Sequence, residues 1–328
     1  MHKYQTEKFR LTAGPCAADD YWVTIQSASF INSQGTGFPV PSGHTLRGNW
    51  GASGTVWAVG DEFQAVPERL TARWFSYAED KFYRGEFALP QEKLHALLKQ
   101  GAWDLEKNKA VTYHTFTVCV LPKGVVVVWL TGGNQVLVGR YQAQEFQPSP
   151  AEYQDYYGPA ERTSMVKETR EEMPAKVQVE VKAGTISTKQ WDEYLKTYNW
   201  QVAFNVPFAL REYSFYGVNA ERRLNPLTRD GLEPYRQFVL APAPKPVPRR
   251  FYLHGTAEHG AQYEVRVSDF DEAETLAAFR ALHTASPKSP ITLLFTIDKP
   301  FQKATMTLQN EAKQIPLTKT KVEVFNED

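Results

Sequence analysis

The amino-acid sequence predicts an α+β protein of two tandem related domains, each with an antiparallel sheet and one principal helix packed on it. Three observations support this fold class. Short runs such as 73–77 alternate between two sets of side chains with period two, which is typical of strands. Tight-turn residues such as Pro122-Lys123-Gly124 separate these runs. The same order of elements then occurs twice along the chain, which indicates an internal repeat.

The first copy is expected to contain a strand, a hairpin, a helix and three further strands. Pro90 precedes the helix, and proline is favoured at a first turn because its missing N–H needs no partner there. The run 125–130 is apolar on both faces, so it predicts a central strand covered on both sides. In order, these elements are predicted at residues 21–25, 71–89, 91–100, 111–121, 125–131 and 136–142.

The second copy follows the same order, with Trp200 aligned to Trp22. Its helix is expected to be capped by Ser268 or Asp269, since both side chains can accept from a free backbone N–H. Residue identity between the copies is low, so the repeat depends on order and spacing. Its elements are predicted at residues 199–204, 251–267, 271–283, 291–297, 304–310 and 318–325.

A charged, aromatic stretch with three prolines separates the copies and is the best candidate for a linker, with a short helix expected in its last half. A strand at 176–182 and a helix at 187–197 follow, and Ser187 and Gln190 form a capping box at the helix start. The proline-rich run 241–248 predicts an extended connector. The predicted division is an N-terminal domain, a linker and a C-terminal domain at residues 1–147, 148–175 and 176–328.

Length and charge exclude several classes of protein. The chain has 328 residues, enough for about two domains. Its 37 basic and 37 acidic side chains balance, with a pI near 7.1, whereas nucleic-acid binders normally carry a basic face. No apolar run approaches the ~18 residues that span a bilayer. We therefore expect no nucleic-acid partner and no transmembrane segment, and the residues leave the oligomeric state open.

The two cysteines, Cys16 and Cys119, are too few for a disulfide framework or a zinc site. Cys119 lies in a predicted strand, where a small buried side chain is expected. Cys16 follows Ala13-Gly14-Pro15, but the residues before this tripeptide are too polar for a lipoprotein signal segment. The residues leave open whether a signal segment was removed and whether the two cysteines pair.

The motifs predict no catalytic centre, no metal and no cofactor. The sequence contains no nucleophile elbow and no phosphate-binding glycine loop. His254 and His259 are spaced by five rather than by the four that aligns metal ligands on a helix, so exposed turn histidines are expected. Asp269 and Asp271 precede a predicted helix, where the helix dipole favours acidic residues. The protein is thus expected not to be an enzyme.

Several segments resemble those of an uncharacterised bacterial family. These segments are 67–77, 81–83, 87–90, 118–130, 191–200 and Asn219-Ala220-Glu221-Arg222. The resemblance covers roughly residues 20–240 and includes no catalytic motif. Members of that family are often described as lipoproteins. Many are encoded beside phospholipase-type effectors of the type VI secretion system, where they resemble cognate immunity proteins.

The resemblance implies an immunity protein that binds and neutralises a cognate type VI secretion lipase effector by occluding its active site. It also implies a periplasmic location, with a lipid anchor in the precursor. Tyrosine, tryptophan and arginine are favoured at interfaces, and the chain has 16 Tyr and 8 Trp. Loops 32–49 and 216–236 are expected to enter the mouth of the enzyme. The expected partner-binding residues are Trp50, Tyr216, Arg222, Arg223, Arg229, Tyr235 and Arg236.

Two other functions stay open. An envelope carbohydrate- or lipid-binding module without a toxin partner would use aromatic side chains on its sheets to stack sugars. A hydrolase with an unfamiliar site is the third, although no nucleophile and base can be named from the sequence. Aromatic residues also belong in cores, and four of them are expected there: Trp74, Tyr77, Tyr83 and Trp129.

Overall fold

The structure, a computed structural model, describes residues 3–57, 59, 61–104, 108–149, 151–152, 159–226 and 238–327. The chain divides into two compact units. Unit 1 comprises Met1–Gly101 and Thr112–Gln190, and unit 2 comprises Ala102–Val111 and Trp191–Asp328. The division predicted from the sequence at 1–147, 148–175 and 176–328 stays a prediction.

Helices and strands are numbered along the chain. The helices are α1 (Lys3–Thr6), α2 (Gln91–Gln100), α3 (Pro159–Glu172), α4 (Ala175–Ala183), α5 (Lys189–Tyr194) and α6 (Glu272–Ala285). The strands up to residue 146 are β1 (Lys8–Arg10), β2 (Thr12–Ala17), β3 (Val23–Asn32), β4 (Gly37–Pro39), β5 (Thr45–Leu46), β6 (Phe63–Ala65), β7 (Pro67–Ser76), β8 (Lys81–Ala88), β9 (Ala102–Asp104), β10 (Lys109–Val111), β11 (Thr115–Val120), β12 (Val125–Thr131), β13 (Gln135–Gln142) and β14 (Gln144–Phe146). The later strands are β15 (Thr197–Phe204), β16 (Phe208–Gly217), β17 (Arg222–Pro226), β18 (Ala243–Pro246), β19 (Pro248–Ala257), β20 (Gln262–Val267), β21 (Ile291–Ile297), β22 (Ala304–Gln309), β23 (Gln314–Pro316) and β24 (Glu323–Asn326).

The α+β fold class is confirmed, because antiparallel strands dominate and few helices pack among them. Helix α2 and strands β12 and β21 have the predicted bounds. Among the described residues, no helix combines the length and the apolar character needed to cross a bilayer.

In unit 1 the strands lie side by side in two groups. One runs β14-β8-β7-β3-β4, and every pair in it is antiparallel. The other runs β2-β11-β12-β13, in which only β2 and β11 are parallel. Strand β12 is buried along six of its seven residues and lies between two neighbours, as expected for a central strand. The four aromatic residues predicted for the core, Trp74, Tyr77, Tyr83 and Trp129, are all buried.

Much of this strand order recurs in unit 2. Its groups run β24-β20-β19-β16-β17 and β18-β15-β21-β22-β23, with β15 and β21 parallel. Strands β14-β8-β7-β3 thus correspond to β24-β20-β19-β16, and β2-β11-β12-β13 correspond to β15-β21-β22-β23. This order is compatible with a tandem repeat. This order does not align Trp22 with Trp200, however. Trp200 lies in β15, whereas Trp22 precedes β3, and β3 corresponds to β16.

The strand predicted at 176–182 is wrong, because helix α4 occupies this segment. Pro174 sets the extended turn before the helix, and Gly184 ends it in the left-handed conformation, with φ 64°. Val177 is buried, but Val179 is 64% exposed, so the alternating valines do not lie on one face of a sheet. The helix predicted at 187–197 is also shorter, since α5 ends at Tyr194 and β15 begins at Thr197.

The predicted cap of the second main helix is wrong by a few residues. Asp271 is the N-cap of α6, and its Oδ1 accepts a hydrogen bond from the Glu274 N–H at 2.8 Å. Asp269 instead accepts from Arg250 Nε at 3.0 Å. The sequence contains several acceptors before this helix, and only the chain path decides which one reaches the free N–H groups. The strand predicted at 318–325 is also shorter and later, at β24.

The proline-rich connector forms strand β18 and buries a lysine. Lys245 is 1% exposed, and its Nζ donates to the carbonyl oxygen of Ala241 at 2.9 Å. The same Nζ lies 4.9 Å from the ring centroid of Trp200 and 5.5 Å from that of Phe238. Burial lowers the pKa of Lys245 to about 7, because desolvation disfavours the charged form of its amine.

We predict that Lys245→Met stabilises unit 2 by about 2 kcal/mol at pH 7, because an apolar chain of similar length needs no hydration. The pKa of Lys245 is about 7 when folded and ordinarily 10.5, so the unfolded chain binds more protons between these values. Stability of the native protein should therefore rise from pH 7 to pH 9, and this rise should weaken in the variant. Urea unfolding at both pH values tests this, with the exposed Lys299→Met as control. An equal pH slope in both variants would contradict it.

Candidate functional site

One face of the unit 2 strands is buried and apolar, which fixes the opposite face outward. Side chains on β16, β19 and β20 alternate between the two faces, as strand geometry requires. The buried positions are fully enclosed and comprise Tyr213, Phe215, Phe251, Leu253 and Val265. The alternate positions are half-buried and rich in tyrosine and arginine. We call five outward side chains the outer face of unit 2: Tyr216, Arg250, Tyr252 and Arg266 on these three strands, and Arg222 on the neighbouring strand β17.

The strand register brings these five side chains together. Tyr216 is directly opposite Arg222 on β17 and Arg250 on β19. Tyr252 is directly opposite Arg266 on β20. The rings of Tyr216 and Tyr252 meet edge to face, with centroids 6.3 Å apart. Tyrosine and arginine therefore interleave across four adjacent strands.

The arginines of this face differ in how their charge is balanced. Arg266 donates to both carboxylate oxygens of Glu264, at 2.8 and 2.5 Å, and this hydrogen bonding raises the pKa of Arg266. Arg250 donates to Asp269, which raises the pKa of Arg250 in the same way. Arg222 has no carboxylate partner within the described ranges, and its buried Nε makes no hydrogen bond there. Among the arginines of this face, Arg222 is thus the one to which the described residues offer no carboxylate.

The two arginines predicted to act together lie on opposite faces. Arg223 is directly opposite Phe215, so it shares the buried side of the strands. Its guanidinium carbon lies 5.4 Å from the ring centroid of Phe238, and its Nε is buried without a hydrogen bond among the described residues. Neighbouring strand residues point to opposite faces, which a loop prediction over 216–236 did not consider. Arg223 thus packs on the buried side of the strands, whereas Arg222 lies on the outer face of unit 2.

The other predicted contact residues fall elsewhere. Trp50 lies in unit 1, where its ring meets Trp129 edge to face with centroids 4.8 Å apart, and its backbone N–H donates to Asp19 Oδ1 at 3.1 Å. Residues Arg229, Tyr235 and Arg236 lie outside the described residues. The predicted loop 32–49 contains β4 and β5, both paired with β3. Trp50 is therefore a packing residue of its turn as well as a partly exposed side chain.

Tyr252 and Arg266 were missed by the sequence analysis, although the signal was present. Both lie in the predicted hairpin 251–267, where Phe251 and Leu253 mark the buried positions. Period-two alternation would have placed Tyr252 and Arg266 on the outward side. The sequence does not predict that they lie in strands beside Tyr216, because β16 is distant in sequence from β20.

One group of side chains has the donor atoms of a metal site. Atoms of His254, Glu264 and Glu327 lie within 4.8 Å of one another. His254 Nδ1 is 2.7 Å from Glu327 Oε1, and Arg211 donates to the other oxygen of Glu327 at 2.7 Å. Arg266 holds both oxygens of Glu264, so each carboxylate already faces a guanidinium. The group is therefore satisfied as an ion-pair network, and a cation would have to displace two arginines. His259, the second histidine of the sequence pattern, instead lies near Tyr263 and Phe301.

Unit 1 presents a polar groove on its own outward sheet face. A row of four side chains, Ser27, Arg73, Arg84 and Gln144, crosses β3, β7, β8 and β14, each directly opposite the next. The groove that they line has a volume of about 480 Å³. Both guanidinium carbons lie 4.8 Å from the Phe146 centroid. Arg73 donates to Glu152 at 2.7 Å, whereas Arg84 has no carboxylate partner in the described part of the chain. We call this the unit 1 groove.

Comparison with known proteins adds a family match without an assigned activity. A family model described as "Protein of unknown function (DUF2931)" matches residues 1–188, more than half of the chain. No curated protein matches the chain, and no solved structure does. The site residues of unit 2 lie outside the matched segment.

We predict unequal effects on stability for the two neighbouring arginines. Arg223→Ala should lower the free energy of unfolding by about 1 kcal/mol, because it removes a buried aliphatic stem and a cation–π contact with Phe238. Arg222→Ala should change it by less than about 0.5 kcal/mol, since its head group makes no ion pair with the described residues. Urea denaturation of the two single variants makes the comparison. An equal loss in both would show that Arg222 also supports the fold.

Proposed function

This chain belongs to the DUF2931 family of proteins of unknown function, and we propose that it is an immunity protein that binds and neutralises a cognate type VI secretion lipase effector. In this proposal the chain occludes the active site of the effector and performs no catalysis itself. The substrate of such an effector is membrane phospholipid, so we place the immunity protein in the periplasm, with a lipid anchor in its precursor. The family resemblance motivates the choice of partner.

The outer face of unit 2 is the observation that carries the proposal. Tyrosine and arginine are the residue types enriched at the centres of protein interfaces. Here they are held on strands rather than on free loops, so little conformational entropy is lost when a partner orders them. Arg222 lacks a carboxylate among the described residues, and an acidic group of the partner would supply one. The partner surface is therefore expected to be acidic and partly aromatic.

Inhibition by occlusion requires a surface that covers the active site of the effector, and it requires no catalytic residues. A stable enzyme–inhibitor complex buries about 1,600 Å² in total, or about 800 Å² on each partner. A sheet face of four adjacent strands, spaced about 4.8 Å apart, supplies a rigid surface of suitable width. Two buried aromatic contacts and one newly formed ion pair would provide its central contacts. The rest of the covered area would exclude water from the substrate entrance.

We predict that Arg222→Glu weakens effector binding at least tenfold, because it replaces an attractive contact with repulsion. Tyr252→Ala should weaken it by a similar factor through lost aromatic contact. Calorimetry with the purified phospholipase effector encoded beside the gene measures the affinity, and phospholipid hydrolysis measures the inhibition. Arg10→Glu is the matched control, since Arg10 is an exposed arginine in unit 1.

Each result of this experiment has a definite meaning. Stoichiometric binding with loss of lipase activity, weakened by the unit 2 variants and unaffected by Arg10→Glu, supports the proposal. Binding that is insensitive to Arg222→Glu and Tyr252→Ala moves the interface away from the outer face of unit 2. Absence of a complex at micromolar concentrations rejects the immunity function.

The unit 1 groove favours a second candidate function, an envelope carbohydrate- or lipid-binding module. Its row of hydroxyl, guanidinium and amide groups suits an anionic sugar or a lipid headgroup, and Arg84 offers an unpaired charge within the described ranges. Under this function, Arg84→Gln should weaken binding of the chain to immobilised acidic polysaccharide or to vesicles containing an anionic phospholipid. Comparison of binding to the polysaccharide with binding to the vesicles distinguishes a sugar ligand from a lipid headgroup. Arg10→Gln serves as control. Equal retention of wild type and Arg84→Gln would reject the groove as the site.

A further inference from the structure

The two cysteines, 103 positions apart in sequence, are neighbours in unit 1. Cys16 on β2 is directly opposite Cys119 on β11, in the parallel pair that joins these strands. Residues directly opposite each other in a ladder point to the same face of the sheet. Both side chains are buried, at 1% and 0% exposure. They therefore share one enclosed space, and no other cysteine occurs in the chain.

The distance between the strands suits a covalent bond. Neighbouring strands lie about 4.7–4.9 Å apart, and disulfides join Cα atoms separated by about 4.4–6.8 Å. The Cys16 side chain is close enough to that of Cys119 to raise the pKa of the Cys119 thiol. A rotation of the side chains, with little movement of the backbone, would bring the two sulfur atoms into bonding distance.

We propose that Cys16 and Cys119 form an intramolecular disulfide when the chain folds in the presence of a disulfide oxidant. The thiolate of one cysteine attacks a sulfur of the oxidant, which releases one oxidant thiol and leaves a mixed disulfide. The second cysteine attacks this mixed disulfide and releases the other oxidant thiol. In total the pair loses two electrons and two protons, and the oxidant disulfide is reduced to two thiols.

The order of events follows from burial. Desolvation raises the pKa of the Cys119 thiol, and the nearby Cys16 side chain raises it further. The reactive thiolate is therefore disfavoured once the strands have assembled, and an oxidant cannot reach the enclosed sulfur atoms. The bond forms while β2 is still docking on β11. Once formed, it is protected from reductants for the same reason.

The bond would join strand β2, near the start of the chain, to the buried strands of unit 1. Strand β2 has β11 as its partner in the described pairings of unit 1, and β11 continues into the buried strand β12. A bond across about 100 residues also restricts the unfolded chain more than a short loop would. This inference is independent of the proposed partner, and it applies wherever the chain meets an oxidant.

The test compares the stability of the bond in the folded and unfolded chain. The full chain is equilibrated by refolding at a series of ratios of reduced to oxidised glutathione, with a parallel series in concentrated urea. Samples are quenched with acid, denatured and labelled with a maleimide, and intact mass gives the number of free thiols. Peptide mapping without reductant identifies the segment joined to the one that contains Cys16.

We expect the folded chain to keep the bond at ratios at least tenfold more reducing than those that break it in urea. The single variants Cys16→Ala and Cys119→Ala should each carry one free thiol and should not dimerise through it. Easier reduction of the folded chain than of the unfolded chain would overturn the proposal, because the fold would then oppose the bond. Two labelled thiols at every ratio, or a disulfide-linked dimer of the wild type, would also overturn it.

Discussion

Burial of one side of each strand is the constraint on which the candidate binding surface depends. Phe251 and Leu253 are fully enclosed, as are Phe215 and Val265 on the neighbouring strands. A shift in register of one residue would move these apolar side chains to solvent, so the pairing is strongly specified. Tyr252 lies between Phe251 and Leu253 along β19, so its side chain is on the opposite face. The same pairing places it directly opposite Arg266 on β20. The outer face of unit 2 is therefore as well determined as the core beneath it.

The corresponding faces of the two units share a scaffold but differ in charge. In unit 1, one row across the strands reads Ser27, Arg73, Arg84 and Gln144. In unit 2, the row on the corresponding strands reads Glu212, His254, Glu264 and Phe325. Two opposed arginines in the first thus stand where a histidine and a glutamate stand in the second. Strand order alone does not determine what either face binds, because its chemistry lies in the outward side chains.

The sequence predicts elements well where local signals are strong. Helix α2 has Pro90 before it and Gly101 after it, and β12 has a continuous apolar run, so their bounds could be read directly. Helix α4 was mistaken for a strand because its valines alternate. Only the tertiary structure shows that Val179 faces solvent while Val177 does not.

The candidate site was predictable only in part, because its geometry depends on pairing between distant strands. Tyr216 and Arg222 were identified from residue type alone. Arg223 stays a predicted contact residue, but strand β17 places it on the opposite face from Arg222, which a loop over 216–236 does not predict. Arg266 was missed because its place in a row with Tyr252 depends on the register between β19 and β20. Local patterns can show which side of a strand is outward, but they cannot show which outward side chains become neighbours.

The pairing of individual charges explains how a chain of zero net charge can still present a positively charged side chain to a partner. Most arginines of the described residues meet a carboxylate, as Arg266 meets Glu264 and Arg250 meets Asp269. Exposed pairs of this kind add little to stability, but they leave little charge for a partner to attract. Arg222 differs because it is directly opposite Tyr216 and makes no ion pair with the described residues. An acidic partner would gain an ion pair at Arg222 without first breaking one, so this position is favoured as the centre of recognition on the outer face of unit 2.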